Sequence, residues 1–165
     1  MKGVILAGGK GTRLDPLTRI TNKHLLPIYD RPMVTYAIEA LVNAGVTELM
    51  LVTGGTHAGE FFRLLGDGHA HGIDRLFYAY QEEEGGIAEA LGLAERFAEG
   101  DRVVVMLADN IVGGTIAQAA ENFRVQERGE MASDVVEGFW GDAGESIDAY
   151  YAVNDHVREN GANHS

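Results

Sequence analysis

The chain has 165 residues, 45% of them hydrophobic, with 22 glycines and a formal net charge of −12. That length suits one domain with a proper core, and the acidic balance argues against any partner bound through phosphate backbones or headgroups, so no nucleic acid and no membrane is expected. The absence of cysteine excludes disulfides and thiolate metal sites, no apolar run reaches the roughly 20 residues of a transmembrane helix, and the N-terminus enters a glycine loop too early for a signal peptide, which makes a cytoplasmic location the expectation.

In chain order, GVILA (3–7) reads as a strand and runs straight into Gly8, Gly9 and Gly11, with Lys10 and Arg13 among them. Pro32 to Ala44 reads as a helix bracketed by Pro32 and Gly45. ELMLVT (48–53) is a strand, His57 to Leu65 helical, RLFYAY (75–80) extended and Ile87 to Ala98 helical. RVVVMLA (102–108) is a continuous apolar run of the kind found in a parallel strand covered on both faces. Thr115 to Arg128 reads as a helix whose start, Thr115 with Gln118 three residues on, fits a capping box. DVVEGF (134–139) is a last strand, and Glu145 to Glu159 has helical spacing of Ile147, Tyr150, Tyr151, Val153 and Val157. Five strands alternating with helices predict an α/β fold with a Rossmann-like, doubly wound, mostly parallel sheet. Residues 1–160 form one domain, followed by a polar tail, 161–165.

In such a fold the ligand crevice lies beyond the carboxyl ends of the strands. Those ends read AGGKGTR, VTGGTH, YQEEEGG, LADN and GFWGDAG, all rich in glycine or polar groups. The first loop is suited to an anion, because glycines let backbone N–H groups converge where a Cβ would block them. It is not a P-loop, since Lys10 is followed by Gly11 rather than a hydroxyl residue. It is not the dinucleotide fingerprint either, since Leu14 stands where its third glycine belongs.

Arg13, just after the glycines, would offer a bound phosphate a guanidinium able to take two oxygens at once, and Lys23 a second cation; the competing reading makes both surface residues. Asp109 and Asp142, at two strand ends, are a candidate magnesium pair, because Mg²⁺ takes one or two carboxylates and completes its shell with water and phosphates. Either could instead be a helix cap or turn former. Gln81 offers an acceptor and donors together, as reading thymine or uracil requires. Glu82, Glu83 and Glu84 would repel a triphosphate and read as a solvated loop. His24, His57, His69 and His71 lack metal-ligand spacing and are expected in surface or loop roles.

Taken together, LAGGKGTRLDPLT, NKHLLPIYDRPMVTYAIEAL, LLGDG, YQEEEGGIAEAL, LADN and GFWGDAGES resemble, in order, the signature blocks of the sugar-nucleotide pyrophosphorylases, most closely the glucose-1-phosphate thymidylyltransferases. The resemblance runs nearly unbroken to about Val125 and resumes near Val135. It implies that Gly8, Gly9, Gly11 and Thr12 line a nucleotide, that Arg13 neutralises departing pyrophosphate, and that Lys23 draws in the attacking phosphate. By the same resemblance, Gln81 and the backbone of Gly86 read the base, Asp109 lies at both nucleotide and metal, and Asp109 with Asp142 holds Mg²⁺. The implied reaction is in-line attack of a sugar 1-phosphate on the α-phosphorus of dTTP or UTP.

Two departures stand out. Ala108 replaces the family's glycine before D-N, which tightens the approach to the metal. The family also carries, between its D-N and W-x-D blocks, a long segment with most of the sugar pocket and an E-K-P lysine; here Asp109 and Asp142 are too close in sequence for it, and EKP occurs nowhere. The resemblance is thus to a member without its sugar-binding half. Two functions follow: a minimal nucleotidyltransferase, or a nucleotide-binding module that has lost turnover and serves as a sensor or subunit. Apolar surface bared by the missing segment predicts a homodimer.

Overall fold

A computed structural model describes residues 1–82, 85–126 and 137–162. Its centre is a parallel sheet of β1 (Lys2–Ala7), β4 (Glu48–Gly54), β5 (Arg75–Gln81) and β6 (Val103–Leu107), in the order β5-β4-β1-β6. β1 pairs with β4 through Val4↔Met50 and with β6 through Val4↔Val105. Both inner strands carry near-continuous apolar runs, Val4–Ala7 and Leu49–Val52, as strands covered on both faces do. Ile5, Leu49 and Leu51 pack with Val34, Ile38 and Leu41 of α1 (Met33–Asn43) and Phe61 of α2 (Ala58–Leu65). Val4, Leu6, Met50 and Val52 face Ala90 of α3 (Gly86–Gly92) and Phe97 of α4 (Glu95–Ala98). The result is the doubly wound α/β sheet expected from the alternation of elements.

The end of α1 shows how sequence stops a helix. Gly45 takes φ 72°, its N–H bonds the Val42 carbonyl at 2.9 Å, and the Val46 N–H reaches back to Leu41 at 2.9 Å. This paired closure needs a left-handed residue, which glycine supplies without a Cβ penalty. Val46 and Leu41, both fully buried, cover the closure with an apolar contact.

Three expectations are modified. Ile87 to Ala98 is two short helices, α3 and α4, interrupted at Leu93 and Ala94. α5 spans Ala117–Val125, and the capping box does not form: Thr115 Oγ1 accepts from the Ala117 N–H at 3.1 Å, while the Gln118 amide turns to Asn122. Arg128 lies outside the described residues.

The strand expected at Asp134–Phe139 falls partly outside the described residues, and 137–139 are not strand. The nearby strand is β8 (Trp140–Asp142), which pairs antiparallel with β7 (Asn110–Val112) in a separate ribbon. Among the described residues the main sheet therefore has four strands. Gly113 and Gly114 explain the ribbon: a Cβ on Gly114 would stand 2.5 Å from the Glu137 carbonyl, and the Gly113 N–H bonds the Phe139 carbonyl at 2.6 Å. This close backbone approach joins the two segments to each other in a ribbon apart from the main sheet.

A second antiparallel ribbon, β2 (Pro27–Ile28) with β3 (Arg31–Pro32), leads into α1. The last helix, α6 (Ile147–Asn160), starts at Ser146, whose Oγ accepts from the Ala149 N–H at 3.1 Å. It packs Tyr150, Val153 and Val157 against Leu14, Ile28, Tyr36 and Ile111, and the Tyr150 hydroxyl donates to the Pro27 carbonyl at 2.5 Å. This satellite core fixes the loop after β1 and the β7–β8 ribbon on one side of the crevice.

Candidate active site

The chain visits β1, β4 and β5 in one direction and then crosses to β6 on the other side of β1, so the sheet changes direction of winding between β1 and β6. A crevice is expected at that point. There a cavity of about 390 Å³ opens, lined by Gly8, Gly9, Arg13, Lys23, His24, Gln81, Gly86, Asp109 and Asp142, with Leu6, Ile87, Ala90 and Leu107 as its apolar wall. Eight residues singled out from sequence meet here: Gly8, Gly9, Arg13, Lys23, Gln81, Gly86, Asp109 and Asp142.

Gly11 and Thr12 do not line the cavity. Gly11, at φ 64°, caps the short turn Thr12–Leu14, and a Cβ on it would stand 2.9 Å from Thr18 and 3.1 Å from the Lys23 Cβ. Its glycine is required by the folding of the loop on itself, with the Thr18 hydroxyl donating to the Gly11 carbonyl at 2.9 Å. Leu14 plugs that turn into the satellite core and leaves Arg13 exposed at the cavity mouth.

Gln81 ends β5 and is 8% exposed, with its amide Nε2 donating to the Gly86 carbonyl at 3.4 Å. A Cβ on Gly8 would come within 3.3 Å of Gln81 Oε1, so glycine at that position keeps space beside the amide. Gln81, Gly8 and Gly9 also border a second cavity of about 500 Å³, lined further by Lys10, Thr18, Gly54, Gly55, His57 and Glu82. Glu83 and Glu84 lie outside the described residues.

Asp109, 6% exposed, follows β6, with its backbone carbonyl accepting from the Ala143 N–H at 2.9 Å. Asp142 stands opposite Asn110 in the β7–β8 register. The ribbon thus brings the two aspartates to one cavity, where the sequence suggested two sheet strands. Asp142 is also a turn former: its Oδ1 accepts from the Gly144 N–H at 2.8 Å. Neither aspartate caps a described helix.

Lys23 donates directly to Asp109 Oδ2, the two side chains being 12% and 9% exposed. Burial pushes the Asp109 carboxyl up, but the hydrogen bond from Lys23 and its charge oppose this, and the group is held below the usual carboxylate range. Burial, and then the Lys23 charge, push His24 down to about 3. The expectation of a surface or loop role for His24 is therefore wrong: the ring is 1% exposed and its Nε2 lies 3.9 Å from Asp109 Oδ2. The other three remain peripheral, His57 beside Glu60 and His69 beside the Ile73 carbonyl. Two further residues escape sequence reasoning. Asn22 caps the turn carrying Lys23 and His24, and any side chain on Gly144 would collide with the Lys23–Asp109 pair.

The donor set is two carboxylates lining one cavity, with the Lys23–Asp109 pair packed against Gly144. Hard oxygen donors with room for water and phosphate suit Mg²⁺, so these residues fit the ion. Among the described residues no group of three or more His, Asp or Glu gathers as a metal cluster.

Fold and site together define an α/β domain with a crevice suited to phosphates at its switch point. The chain belongs to the nucleotidyl transferase family, whose model matches residues 2–137. It is 46% identical over 114 residues to the glucose-1-phosphate thymidylyltransferase of Actinoplanes sp., which covers 69% of this chain and 37% of that one. It is 45% identical over 125 residues to the enzyme of the same name from Neisseria meningitidis, covering 73% and 43%. A crystal structure of a Bacillus anthracis protein described as a glucose-1-phosphate thymidylyltransferase, in complex with sucrose, superposes with a TM-score of 0.72 at 46% identity, covering 74% of this chain and 50% of that one. A UDP-glucose pyrophosphorylase complexed with UDP-glucose shares the fold, with a TM-score of 0.63 at 24% identity over 74% of this chain and 52% of that one. The chain spans less than half the length of the curated relatives it matches. No described helix is long and apolar enough to cross a membrane.

Proposed function

We propose that the chain transfers a thymidylyl or uridylyl group from dTTP or UTP to a sugar 1-phosphate and releases pyrophosphate. The observation that carries this reading is the convergence of Arg13, Lys23, Gln81, Asp109 and Asp142 on one crevice of about 390 Å³ at the switch point of the sheet. In it, Gln81 and the Gly86 backbone read the pyrimidine edge, and the Gly8–Gly9 turn lies along the ribose and phosphates. Arg13 at the mouth neutralises the departing pyrophosphate. Lys23 draws in the attacking phosphate, which requires it to leave Asp109. Catalysis then comes from holding attacker and α-phosphorus in line and from placing cations where charge develops. Asp109 and Asp142 would hold Mg²⁺, which supplies charge neutralisation at the phosphates.

The second reading, a nucleotide-binding module without turnover, is favoured by the commitment of Lys23 to Asp109. Calorimetry with dTTP, UTP and ATP, followed by glucose 1-phosphate added to a nonhydrolysable dTTP complex, separates the two. Selective pyrimidine-nucleotide binding followed by measurable sugar-phosphate binding supports the transferase. Nucleotide binding with none of the second supports the module, and equal affinity for ATP rejects the base-reading role of Gln81.

A homodimer is the assembly this reading favours. Among the described residues β6 is an edge strand, half-exposed where the sequence predicted cover on both faces, and beside it runs a groove of about 460 Å³ lined by Val103 to Leu107, Phe123 and Trp140 and by no charged side chain. Val105 and Trp140 are 42% and 63% exposed in it. Undefended apolar edges of this kind tend to be covered by another chain.

A further inference from the structure

We infer that the Lys23 ammonium and Mg²⁺ are alternative counter-ions of Asp109, so that taking up the metal is what frees Lys23 to meet the attacking phosphate. The inference rests on reading Asp109 and Asp142 as magnesium carboxylates, and it supplies what that reading leaves open, the release of Lys23 from Asp109.

The contact is direct and enclosed. Lys23 Nζ donates to Asp109 Oδ2, and the two side chains are 12% and 9% exposed. Besides the ammonium, two groups crowd that oxygen. One is the His24 ring, with Nε2 at 3.9 Å. The other is the Gly144 backbone, on which a Cβ would stand 2.3 Å from Oδ2 and 2.7 Å from Nζ. The second oxygen of Asp109, Oδ1, accepts from the Asn110 amide at 3.2 Å. Asp142 accepts from the Gly144 N–H through Oδ1 at 2.8 Å and lines the same cavity as Lys23 and Asp109.

Mg²⁺ demands oxygen ligands at about 2.0–2.1 Å in a near-octahedral shell. With the ammonium, the His24 ring and Gly144 around it, Oδ2 offers such a shell little room. A metal on Oδ1 would put two cations on one carboxylate, at separations where like charges repel strongly away from bulk water. On either oxygen the ammonium and the metal oppose each other. Lysine suits the exchange, because its compact head is a point charge on a flexible four-carbon stem, whereas a guanidinium would clamp both oxygens at once. The base of the stem is held meanwhile by the turn that Asn22 caps and by Gly11, on which a Cβ would stand 3.1 Å from the Lys23 Cβ. An order follows for the proposed reaction: Lys23 is available to a phosphate once Asp109 has a metal to neutralise it.

The test is Mn²⁺ binding, a paramagnetic stand-in with the same taste for oxygen ligands, to the full chain without nucleotide. Electron paramagnetic resonance compares wild type, Lys23→Met and Arg13→Met. Lys23→Met should bind Mn²⁺ roughly tenfold or more tightly than wild type, the scale on which a charge within 4–6 Å alters a carboxylate's hold on a cation. Arg13→Met removes a charge of the same sign from the exposed mouth of the cavity and should gain less than about twofold, because exposed charges are screened. Adding Asp109→Asn to Lys23→Met should abolish the gain. If Lys23→Met does not fold, Lys23→Gln, which keeps a donor for Asp109 but no charge, takes its place with the same expected gain. A second measurement follows the Lys23 ammonium by NMR, assigned by its loss in the Lys23 variant. Its hydrogen-bonded signal should be present in wild type and fade in step with metal binding as Mg²⁺ is added. Equal Mn²⁺ affinity in wild type and the folded Lys23 variant, no binding in either, or an equal gain in Arg13→Met overturns the inference. So does an ammonium signal that is missing before Mg²⁺ is added or unmoved at saturation. Calorimetry with dTTP keeps the functional reading separate. A metal site tightened by loss of Lys23 in a chain that binds no dTTP sustains the exchange and rejects the transferase. Mg²⁺-dependent dTTP binding without that gain sustains the transferase reading and rejects the exchange.

Discussion

Gln81 illustrates what a single side chain can be asked to do. It is 8% exposed at the end of β5, and among the described residues its side chain makes one long 3.4 Å bond, to the Gly86 carbonyl, which leaves its acceptor for a base edge. Gln81→Ala should weaken dTTP and thymidine alike by about 1–3 kcal/mol, the cost of leaving a polar partner unsatisfied in a desolvated pocket. Arg13→Ala should behave differently in the same calorimeter, costing dTTP far more than thymidine, if the exposed guanidinium meets phosphates as proposed. Equal losses for the two ligands would make Arg13 structural. His24 gives a pH prediction. Its folded value of about 3 lies below the ordinary 6.5, so the unfolded chain binds the extra proton between these limits. Stability conferred by the neutral ring is present above pH 6.5 and is lost as pH falls, by up to ~1.4 kcal/mol per unit. Urea unfolding at pH 7 and pH 5 should show this loss in wild type and a smaller one in His24→Gln. Gln81, Asp109 and Asp142 stood out in the sequence as polar residues after apolar stretches, Arg13 as the cation after a glycine loop, and Lys23 through the NKHLLP block. His24 and Gly144 were not, because burial against Asp109 comes from segments far apart in the chain.

At the scale of elements, apolar runs bracketed by proline and glycine were the readable signal: β1, β4, β5, β6, α1 and α2 appear where the pattern puts them. Gly45→Ala should test the closure of α1, destabilising the fold by about 1 kcal/mol in thermal or urea unfolding, since alanine is strained at φ 72°. The β7–β8 ribbon was misread because a few alternating residues look the same whether they join a sheet or pair with a neighbour. What decided the matter was the contact between Gly113–Gly114 and 137–139, which has no local signature. The ribbon also carries a prediction. Asp109 supports no helix cap, and an amide keeps its shape while removing one charge. Asp109→Asn should therefore leave the melting temperature within a few degrees of wild type while weakening the Mg²⁺ dependence of dTTP binding. A collapse in melting temperature would instead make Asp109 a structural anchor for Lys23.

For the whole molecule, the doubly wound class was legible from strict alternation, whereas the number of strands in the sheet was not. The β6 edge, unpaired among the described residues, and the groove beside it lead to an expected dimer in light scattering, with Val105→Lys shifting it to monomer. If the family's sugar-binding segment is missing between Asp109 and Asp142, as the resemblance implies, the attacker has less to anchor it, and loss of remote binding energy lowers turnover as well as affinity. Glucose 1-phosphate should therefore bind more weakly than dTTP. The most direct test of the account is pyrophosphate release from dTTP with Mg²⁺ across a panel of sugar 1-phosphates. The account predicts slow release that requires a sugar 1-phosphate and is abolished in Arg13→Ala and Lys23→Met. Tight dTTP binding with no release for any sugar phosphate, or release that proceeds equally without Lys23, would contradict it.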